Sequence, residues 1–180
     1  MTDLVAIWRA EHLNFDRLLD LLEKQVAAFH VGGQPDYDLM RDVVYYLRHY
    51  ADQVHHPQED AVFARLLERD PAMRPQIDRL LQEHRVIVAA GETLLKHLDE
   101  VVAEALVPRS IVETAAATYL VFYRQHLAAE DNEVIPRAAQ LLRPRDWAAV
   151  AAVPTRPDPL FGEDVEERFR NLRRQIVLEA

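Results

Sequence analysis

The sequence repeats one pattern twice, and this duplication restricts the possible folds more than any other feature. RAEHLNFDRLLDLL at 9–22 resembles LQEHRVIVAAGETLL at 81–95, and HHPQEDAVF at 55–63 resembles HLAAEDNEV at 126–134. Each copy is about 70 residues long and contains two segments with helical apolar spacing, whereas a solenoid has a shorter period. The duplication predicts an all-α fold, an antiparallel up-down-up-down four-helix bundle built from a duplicated helical hairpin and followed by a C-terminal helical tail.

Capping residues and turns set the expected ends of the four helices. They are predicted to run from Thr2 or Asp3 to Val31, from Tyr37 to Arg69 with a bend at Pro57, from the Pro71–Pro75 region to Val107, and from Ile111 to Leu142. Ser110 and Glu113 have the spacing of a capping box, which predicts the start of the fourth helix there.

The last part of the chain differs in character from the rest. We expect residues 1–142 to form the bundle, and residues 143–180 to form a proline-rich linker and a C-terminal helix. A short helix is predicted at 147–153, and the last helix at 163–177. Leu160 and Phe161 would plug the bundle, while Phe169, Leu172 and Ile176 form an apolar stripe. That stripe would cover either its own bundle or a second subunit, and we favour a homodimer through this helix.

The composition excludes several classes of function. A formal net charge of −9 and the lack of a Lys/Arg cluster argue against a nucleic-acid surface. The sequence has no cysteine, which excludes disulfides, thiolate metal sites and cysteine nucleophiles and leaves His, Asp and Glu as metal ligands. We recognise no signal peptide and no apolar run of membrane-spanning length, so we expect a soluble cytoplasmic protein without membrane contact.

Two histidine–glutamate pairs lie on apolar helix faces. His55 and Glu59 are four residues apart, so they share one face, and that face also carries apolar residues before and after them. His126 and Glu130 have the same spacing in the second copy. His56 is expected on a wetter flank of its helix and is not predicted to be a ligand. Because a carboxylate is rarely buried without a partner, each pair calls for a metal or a counter-charge.

Two more histidines, His12 and His84, lie on the apolar stripes of the other two helices. Counting from the turns that connect antiparallel neighbours places all of these groups at one height, to within about one helical turn. A single buried histidine is usually structural, but four histidines and two carboxylates in one layer predict a metal site. The predicted ligands are His12, His55, Glu59, His84, His126 and Glu130.

These motifs resemble the hemerythrin-like HHE cation-binding family, and the resemblance covers residues 1–142. It rests on the early histidine, on His-x-x-x-Glu within HHPQED, on the single histidine of the third helix, and on His-x-x-x-Glu in the fourth. It implies a four-helix bundle that holds a non-haem centre of two irons joined by an oxo or hydroxo bridge. A ferritin-like bundle would instead show Glu-x-x-His motifs, and no histidine here has a glutamate three residues before it.

The sequence departs from oxygen-carrying hemerythrins, which have two histidines four residues apart on the third helix. The residues four before and four after His84 are apolar, so four predicted histidine ligands remain. The fourth-helix carboxylate is either Glu130 or Asp131, and we favour Glu130 because the repeat aligns it with Glu59. Two histidines for each iron and two shared carboxylates leave each iron one open position. Such symmetric ligation predicts that air oxidises the reduced protein without reversible oxygen binding.

Two classes of function fit such a site. The first is a protein that binds or senses O₂, NO, peroxide or iron, and the absence of a general-base or substrate-pocket signature favours it. The second is a peroxidase-like di-iron redox enzyme or an iron-donating repair protein, although such repair proteins usually carry additional Cys-bearing sequence. Tyr119 and Tyr123 would be redox tyrosines or, as we favour, core residues with hydroxyls bonded to backbone. A metal-free interaction module would leave both glutamates buried without a metal. The expected partners are a small diatomic molecule or peroxide and a second copy of the chain.

Overall fold

A computed structural model describes residues 4–179, without the side chains of His30 and Glu179, and within this range it is helical and contains no strand. The α-helices are α1 (Leu4–His30), α2 (Tyr37–Tyr46), α3 (His56–Arg69), α4 (Arg74–Val102), α5 (Arg109–Ala129), α6 (Ile135–Leu141), α7 (Pro144–Val150) and α8 (Arg170–Glu179). Short 3-10 helices at Pro71–Met73 and Glu167–Phe169 precede α4 and α8. The all-α prediction is confirmed, whereas the predicted N-cap at Thr2 or Asp3 lies outside the described residues.

Two π-helical segments join α-helices without a break. The first π segment (Leu47–His55) connects α2 to α3, and the second π segment (Glu130–Val134) connects α5 to α6. In each, the N–H that follows the segment donates to a carbonyl five residues earlier, from His56 to Ala51 and from Ile135 to Glu130. A proline comes next in both cases, and proline crowds the preceding turn and donates no hydrogen bond. The predicted bend at Pro57 is therefore a wide π turn just before it.

The turn between α4 and α5 is longer than predicted. Helix α4 ends at Val102 and not at Val107, because Glu104 adopts a left-handed φ of 61°. The N–H of Ala105 donates to the Glu100 carbonyl, and that of Glu104 donates to the Val101 carbonyl, a hydrogen-bond pattern that closes a helix end. Helix α5 then begins at Arg109, so the predicted capping box was wrong: Ser110 lies inside the first turn.

Two apolar clusters lie on either side of a polar layer. The large cluster contains buried residues such as Phe15, Leu19, Met40, Leu47, Ile87, Leu94, Tyr119 and Tyr123. The small cluster contains Trp8, Val62, Phe63, Leu66, Ile77, Leu80, Val134, Ala138, Leu142 and Val150. Each long helical segment contributes to both clusters, and the histidines and glutamates predicted as ligands lie at or next to the point where it passes from one cluster to the other. The core therefore encloses these polar groups between two apolar regions.

The C-terminal stripe packs against the large cluster of its own chain. Leu160, Phe169, Leu172 and Ile176 are buried there, and Phe161 packs against it partly buried. Asp158 fixes this turn, because its Oδ1 accepts hydrogen bonds from the backbone N–H groups of Leu160 and Phe161. The stripe therefore covers its own bundle, the first of the two expected alternatives. The last helix also begins later than predicted, at Arg170, after the 3-10 turn.

A two-pronged ion pair holds α7 on the end of α3. Arg69 donates from Nε and Nη2 to the Asp146 carboxylate at 2.8–3.1 Å, and Asp146 also accepts the backbone N–H of Arg143 at 2.9 Å. The Arg69 guanidinium, followed by the Arg143 N–H, lowers the pKa of Asp146 below its usual range. The stabilisation is therefore present above the ordinary carboxyl pKa of about 3.9 and is lost as the pH falls through the lower folded-state pKa.

Asp146→Asn is expected to lower Tm by a few degrees at pH 7, because it removes the charge that Arg69 binds. The difference from wild type should shrink below about pH 4, where the wild-type carboxyl is also losing its charge. Thermal unfolding followed by circular dichroism between pH 7 and pH 2.5 measures both effects. Arg65→Gln is the matched control, because Arg65 pairs with Glu68 on the exposed surface. An Asp146→Asn deficit that does not change with pH would contradict this interpretation.

Candidate metal centre

The structure buries all six residues predicted as ligands and brings them into one layer. Each of the six residues is 7% exposed or less. His12 comes from the middle of α1 and His84 from α4, while His55 and Glu59 lie at the junction of the first π segment and α3. His126 lies near the end of α5, and Glu130 begins the second π segment. Six side chains converge on the same small volume, namely those of His12, His55, Glu59, His84, His126 and Glu130.

One group of ligand atoms is formed by two histidines and one glutamate. The Nε2 atoms of His12 and His55 are 3.0 Å apart. Glu59 Oε1 lies 3.2 Å from His12 Nε2 and 2.9 Å from His55 Nε2. Ligands bound to one ion at about 2.0–2.2 Å stand about 3 Å from each other. These three side chains therefore have the separations of ligands around a common ion.

The second group lies on the other side of the two glutamates. His126 Nε2 is 3.2 Å from Glu130 Oε2, and His84 Nε2 is 3.7 Å from Glu130 Oε1. Glu59 Oε2 lies 3.6 Å from His84 Nε2, although Oε1 of the same carboxylate faces the first group. Glu130 Oε2 in turn lies 3.7 Å from His12 Nε2. Both carboxylates therefore face both pairs of histidines, as bridging ligands would.

An outer ring of carboxylates orients the four histidines. The Nδ1 atoms of His12, His55, His84 and His126 lie 2.7–3.2 Å from Asp131, Glu11, Asp60 and Glu83, respectively. A carboxylate on Nδ1 directs Nε2 toward the layer and makes it a stronger metal ligand. None of these four carboxylates was predicted to orient a histidine. The repeat nevertheless contains them twice, in Glu-His pairs and in Glu-Asp pairs. Asp131 lies in this outer ring, and Glu130 is the fourth-helix carboxylate inside the layer.

Several buried polar atoms in the layer have no hydrogen-bond partner within the part of the chain that the structure describes. They include Oε2 of Glu59, both carboxylate oxygens of Glu130, and Nε2 of His84 and His126. Such atoms are costly inside a protein unless an ion or a water satisfies them. They are carboxylate oxygen and imidazole nitrogen atoms, and imidazole is a suitable ligand for iron and other first-row metals. The residues present therefore fit a metal centre.

The carboxylates of this layer favour protonation of its histidines. Burial alone would lower the pKa of each histidine, but the neighbouring carboxylates reverse this effect. The pKa rises to about 10 for His12, about 9 for His55 and about 12 for His84, and it is also raised for His126. Burial opposes ionisation of Glu59, but the histidines beside it lower its pKa well below the usual range. A metal ion therefore has to displace protons from these imidazoles.

The position of His56 was predicted wrongly. Its side chain is buried, 4% exposed, and its ring stacks on that of His84 with centroids 4.2 Å apart. Burial, and then the nearby His84, lowers the pKa of His56 well below its ordinary value, so the ring is neutral. The prediction of a wet flank assumed that side chains follow regular α-helical spacing from α2 onward. The first π segment changes the direction in which the later side chains point. His56 therefore lies beside the predicted ligands.

Two tyrosines near the layer also differ from expectation. Tyr119 and Tyr123 are buried in the large cluster as predicted, but neither hydroxyl has a hydrogen-bond partner among the described residues. Burial raises the pKa of both hydroxyls well above the usual value, so both stay protonated. Oxidation of a tyrosine requires a base to accept its proton, and no such base contacts either hydroxyl. The expected hydrogen bonds from these two hydroxyls to the backbone are not found among the described residues.

Comparison with known proteins identifies the family. Residues 3–138 match the family model described as the hemerythrin HHE cation-binding domain. The chain belongs to the hemerythrin HHE family. This match covers every residue of the layer and confirms the resemblance found in the sequence. A comparison with curated proteins and one with solved structures gave no significant match.

Membership of the hemerythrin HHE family agrees with the chemistry of the layer. The family description specifies cation binding, and the buried His/Glu cluster provides the donor atoms for it. Among residues 4–179, no helix has both the length and the apolar character that a membrane crossing requires.

Proposed function

We propose that this protein is a non-haem di-iron protein that binds or senses small oxidants, namely O₂, NO or peroxide, or iron itself. The observation that carries this proposal is the position of Glu59 and Glu130 between two pairs of histidines. His12 and His55 would hold one iron, and His84 and His126 would hold the other. The two carboxylates would bridge them, with an oxo or hydroxo group as a further bridge.

The arrangement of the helices as an antiparallel four-helix bundle is part of the same proposal. It is supported by the order in which each helical segment contributes residues to the two apolar clusters. Helix α1 starts in the small cluster and continues into the large one, while the α2–α3 segment passes through them in the opposite order. Helix α4 repeats the order of α1, and the α5–α6 segment repeats that of α2–α3. This alternation supports an arrangement of four antiparallel, histidine-bearing segments around one centre.

The residues of the chain hold and shield the centre. The outer carboxylates would accept the Nδ1–H of each imidazole, so that each Nε2 is free for the metal. Trp8 and Phe15 bury α1 on either side of His12, which keeps bulk water away from the layer. When bound, the two irons supply redox chemistry and open coordination positions for a small ligand. A route through a redox-active Tyr119 or Tyr123 is disfavoured, because neither hydroxyl has a proton acceptor among the described residues.

Metal analysis of the purified protein tests this proposal. We expect two irons per chain and a visible spectrum that is lost on anaerobic reduction and restored by air. Elemental analysis gives the stoichiometry, and absorption spectroscopy in an anaerobic cuvette follows the oxidation state. His97→Ala is a suitable control, because His97 lies on α4 outside the layer, 3.2 Å from Glu100. A wild-type protein that takes up no more than one iron when reconstituted with excess Fe²⁺ would contradict the di-iron proposal.

A further inference from the structure

We propose that His56 is a fifth histidine ligand, bound to the same metal as His84 and His126. This inference rests on the proposed dinuclear centre and adds a residue to it. The ligand atoms of His56, Glu59, His84 and His126 all lie within 4.8 Å of one another. The metal at His12 and His55 would then keep two histidine ligands, and the metal at His84 and His126 would have three.

The ring of His56 is placed as a ligand would be. Its centroid lies 4.2 Å from that of His84 and 5.6 Å from that of His126, while the last two are 4.6 Å apart. Three imidazoles around one ion have similar mutual distances. Both ring nitrogens of His56 are buried and neither makes a hydrogen bond. Stacking on His84 leaves both nitrogens unsatisfied, whereas a metal would satisfy one of them.

The other nitrogen of His56 faces a carboxylate, as in the other four histidines. Nδ1 lies 3.4 Å from Asp52 Oδ1, a longer contact than those of the outer ring. Asp52 is itself 3% exposed and accepts a hydrogen bond from Arg48. Gly91 leaves room for this arginine, since a Cβ at Gly91 would stand 2.6 Å from Arg48 Cδ. The carboxylate that faces His56 is thus held in place by Arg48, for which Gly91 leaves room.

The five histidines make the two metal positions different. The position of His84, His126 and His56 has three imidazoles, so it should bind a divalent ion more tightly than the position of His12 and His55. The open coordination is then concentrated at the His12/His55 position. The prediction of irreversible oxidation by air assumed equal ligation, and it no longer follows if His56 binds.

The number of bound histidines can be counted in the wild-type protein with Co²⁺ as the probe. Each imidazole bound to paramagnetic Co²⁺ shows one strongly shifted ring N–H proton in the NMR spectrum, and this proton disappears in D₂O. We expect five such signals once two Co²⁺ are bound. Four signals at full loading would overturn the assignment of His56. Loading with fewer than two Co²⁺ per chain would instead contradict the dinuclear centre itself.

A variant then identifies the fifth signal. His56→Ala should lose one signal and weaken one of the two Co²⁺ binding steps by at least about 10-fold, since even the loss of an outer-shell partner has effects of this size. His49→Ala is the matched control, because His49 lies on the first π segment, directly before α3, but its Nδ1 contacts the Tyr45 carbonyl oxygen. An unchanged binding isotherm and Co²⁺ absorption spectrum in His56→Ala would overturn the proposal.

Free imidazole provides a test that separates a lost ligand from a damaged fold. A cleft of about 310 Å³ borders His56 and His84 and is also lined by Pro57, Arg85 and Val88. Small molecules can enter through it once the His56 ring is removed. Added imidazole should therefore restore the wild-type Co²⁺ spectrum in His56→Ala and leave the His49→Ala spectrum unchanged. A spectrum of His56→Ala that does not respond to imidazole would count against a vacated coordination position.

Discussion

Glu59→Ala is expected to remove both metals and so to reduce the metal content from two per chain to near zero. Its Oε1 lies 2.9 Å from His55 Nε2, and its Oε2 lies 3.6 Å from His84 Nε2, so one truncation affects both positions. The removal of a carboxylate also leaves several imidazoles without the negative charge that divalent ions require. Elemental analysis after reconstitution with excess Fe²⁺ under anaerobic conditions measures the loss.

Two controls separate loss of a ligand from loss of structure. Glu59→Gln keeps the volume of the side chain but removes its charge, and it should lose metal almost as completely. Glu68→Ala changes an exposed glutamate on the same helix, and it should retain two metals. If Glu59→Ala binds two irons with wild-type affinity, then Glu59 is not a bridging ligand and the proposed centre is wrong.

Removal of the metals should lower Tm by on the order of 10 °C. Ligand bound only to the folded state adds about 4 kcal/mol when its free concentration is about 1,000 times Kd. For a chain of this size each kcal/mol changes Tm by roughly 2–4 °C. Differential scanning calorimetry of the metal-loaded protein, with and without a strong chelator, measures this difference.

The matched control is the same chelator experiment on Glu59→Ala. That variant lacks one of the two bridging carboxylates and is expected to bind no metal, so the chelator should leave its Tm almost unchanged. A wild-type Tm that does not respond to complete metal removal would contradict the expected coupling between metal binding and folding. Metal analysis of the chelated sample shows whether removal was complete.

The sequence predicted the helical class and the layer because both depend on local periodicity. His12 and His84 lie on uninterrupted α-helices, so counting at 3.6 residues per turn placed them on the buried face. Glu59 and Glu130 were chosen because two carboxylates on apolar faces recur at the same spacing in both copies. Burial of all of them follows from the pattern of apolar neighbours.

The parts that the sequence could not predict depend on contacts between distant segments. His56 was assigned to a wet flank because regular helical spacing puts it on the same face as Tyr45 and Asp52. The first π segment interrupts that spacing. The end of α4 was placed too late because Glu104, and not a glycine, occupies the left-handed position that closes the helix. The unpartnered hydroxyl of Tyr123 depends on packing against other helices, which no local pattern records.

The first π segment lies where the two halves of the chain differ in length by one residue. His55 lies 18 residues after the start of α2, whereas His126 lies 17 residues after the start of α5. One additional residue in a regular helix would rotate all later side chains by about 100° and turn Glu59 away from the position equivalent to Glu130. The π turn absorbs that residue, so His56 and its counterpart Leu127 are both buried. The asymmetry proposed for the centre would therefore come from a single exchange of imidazole for an isobutyl group between the two copies.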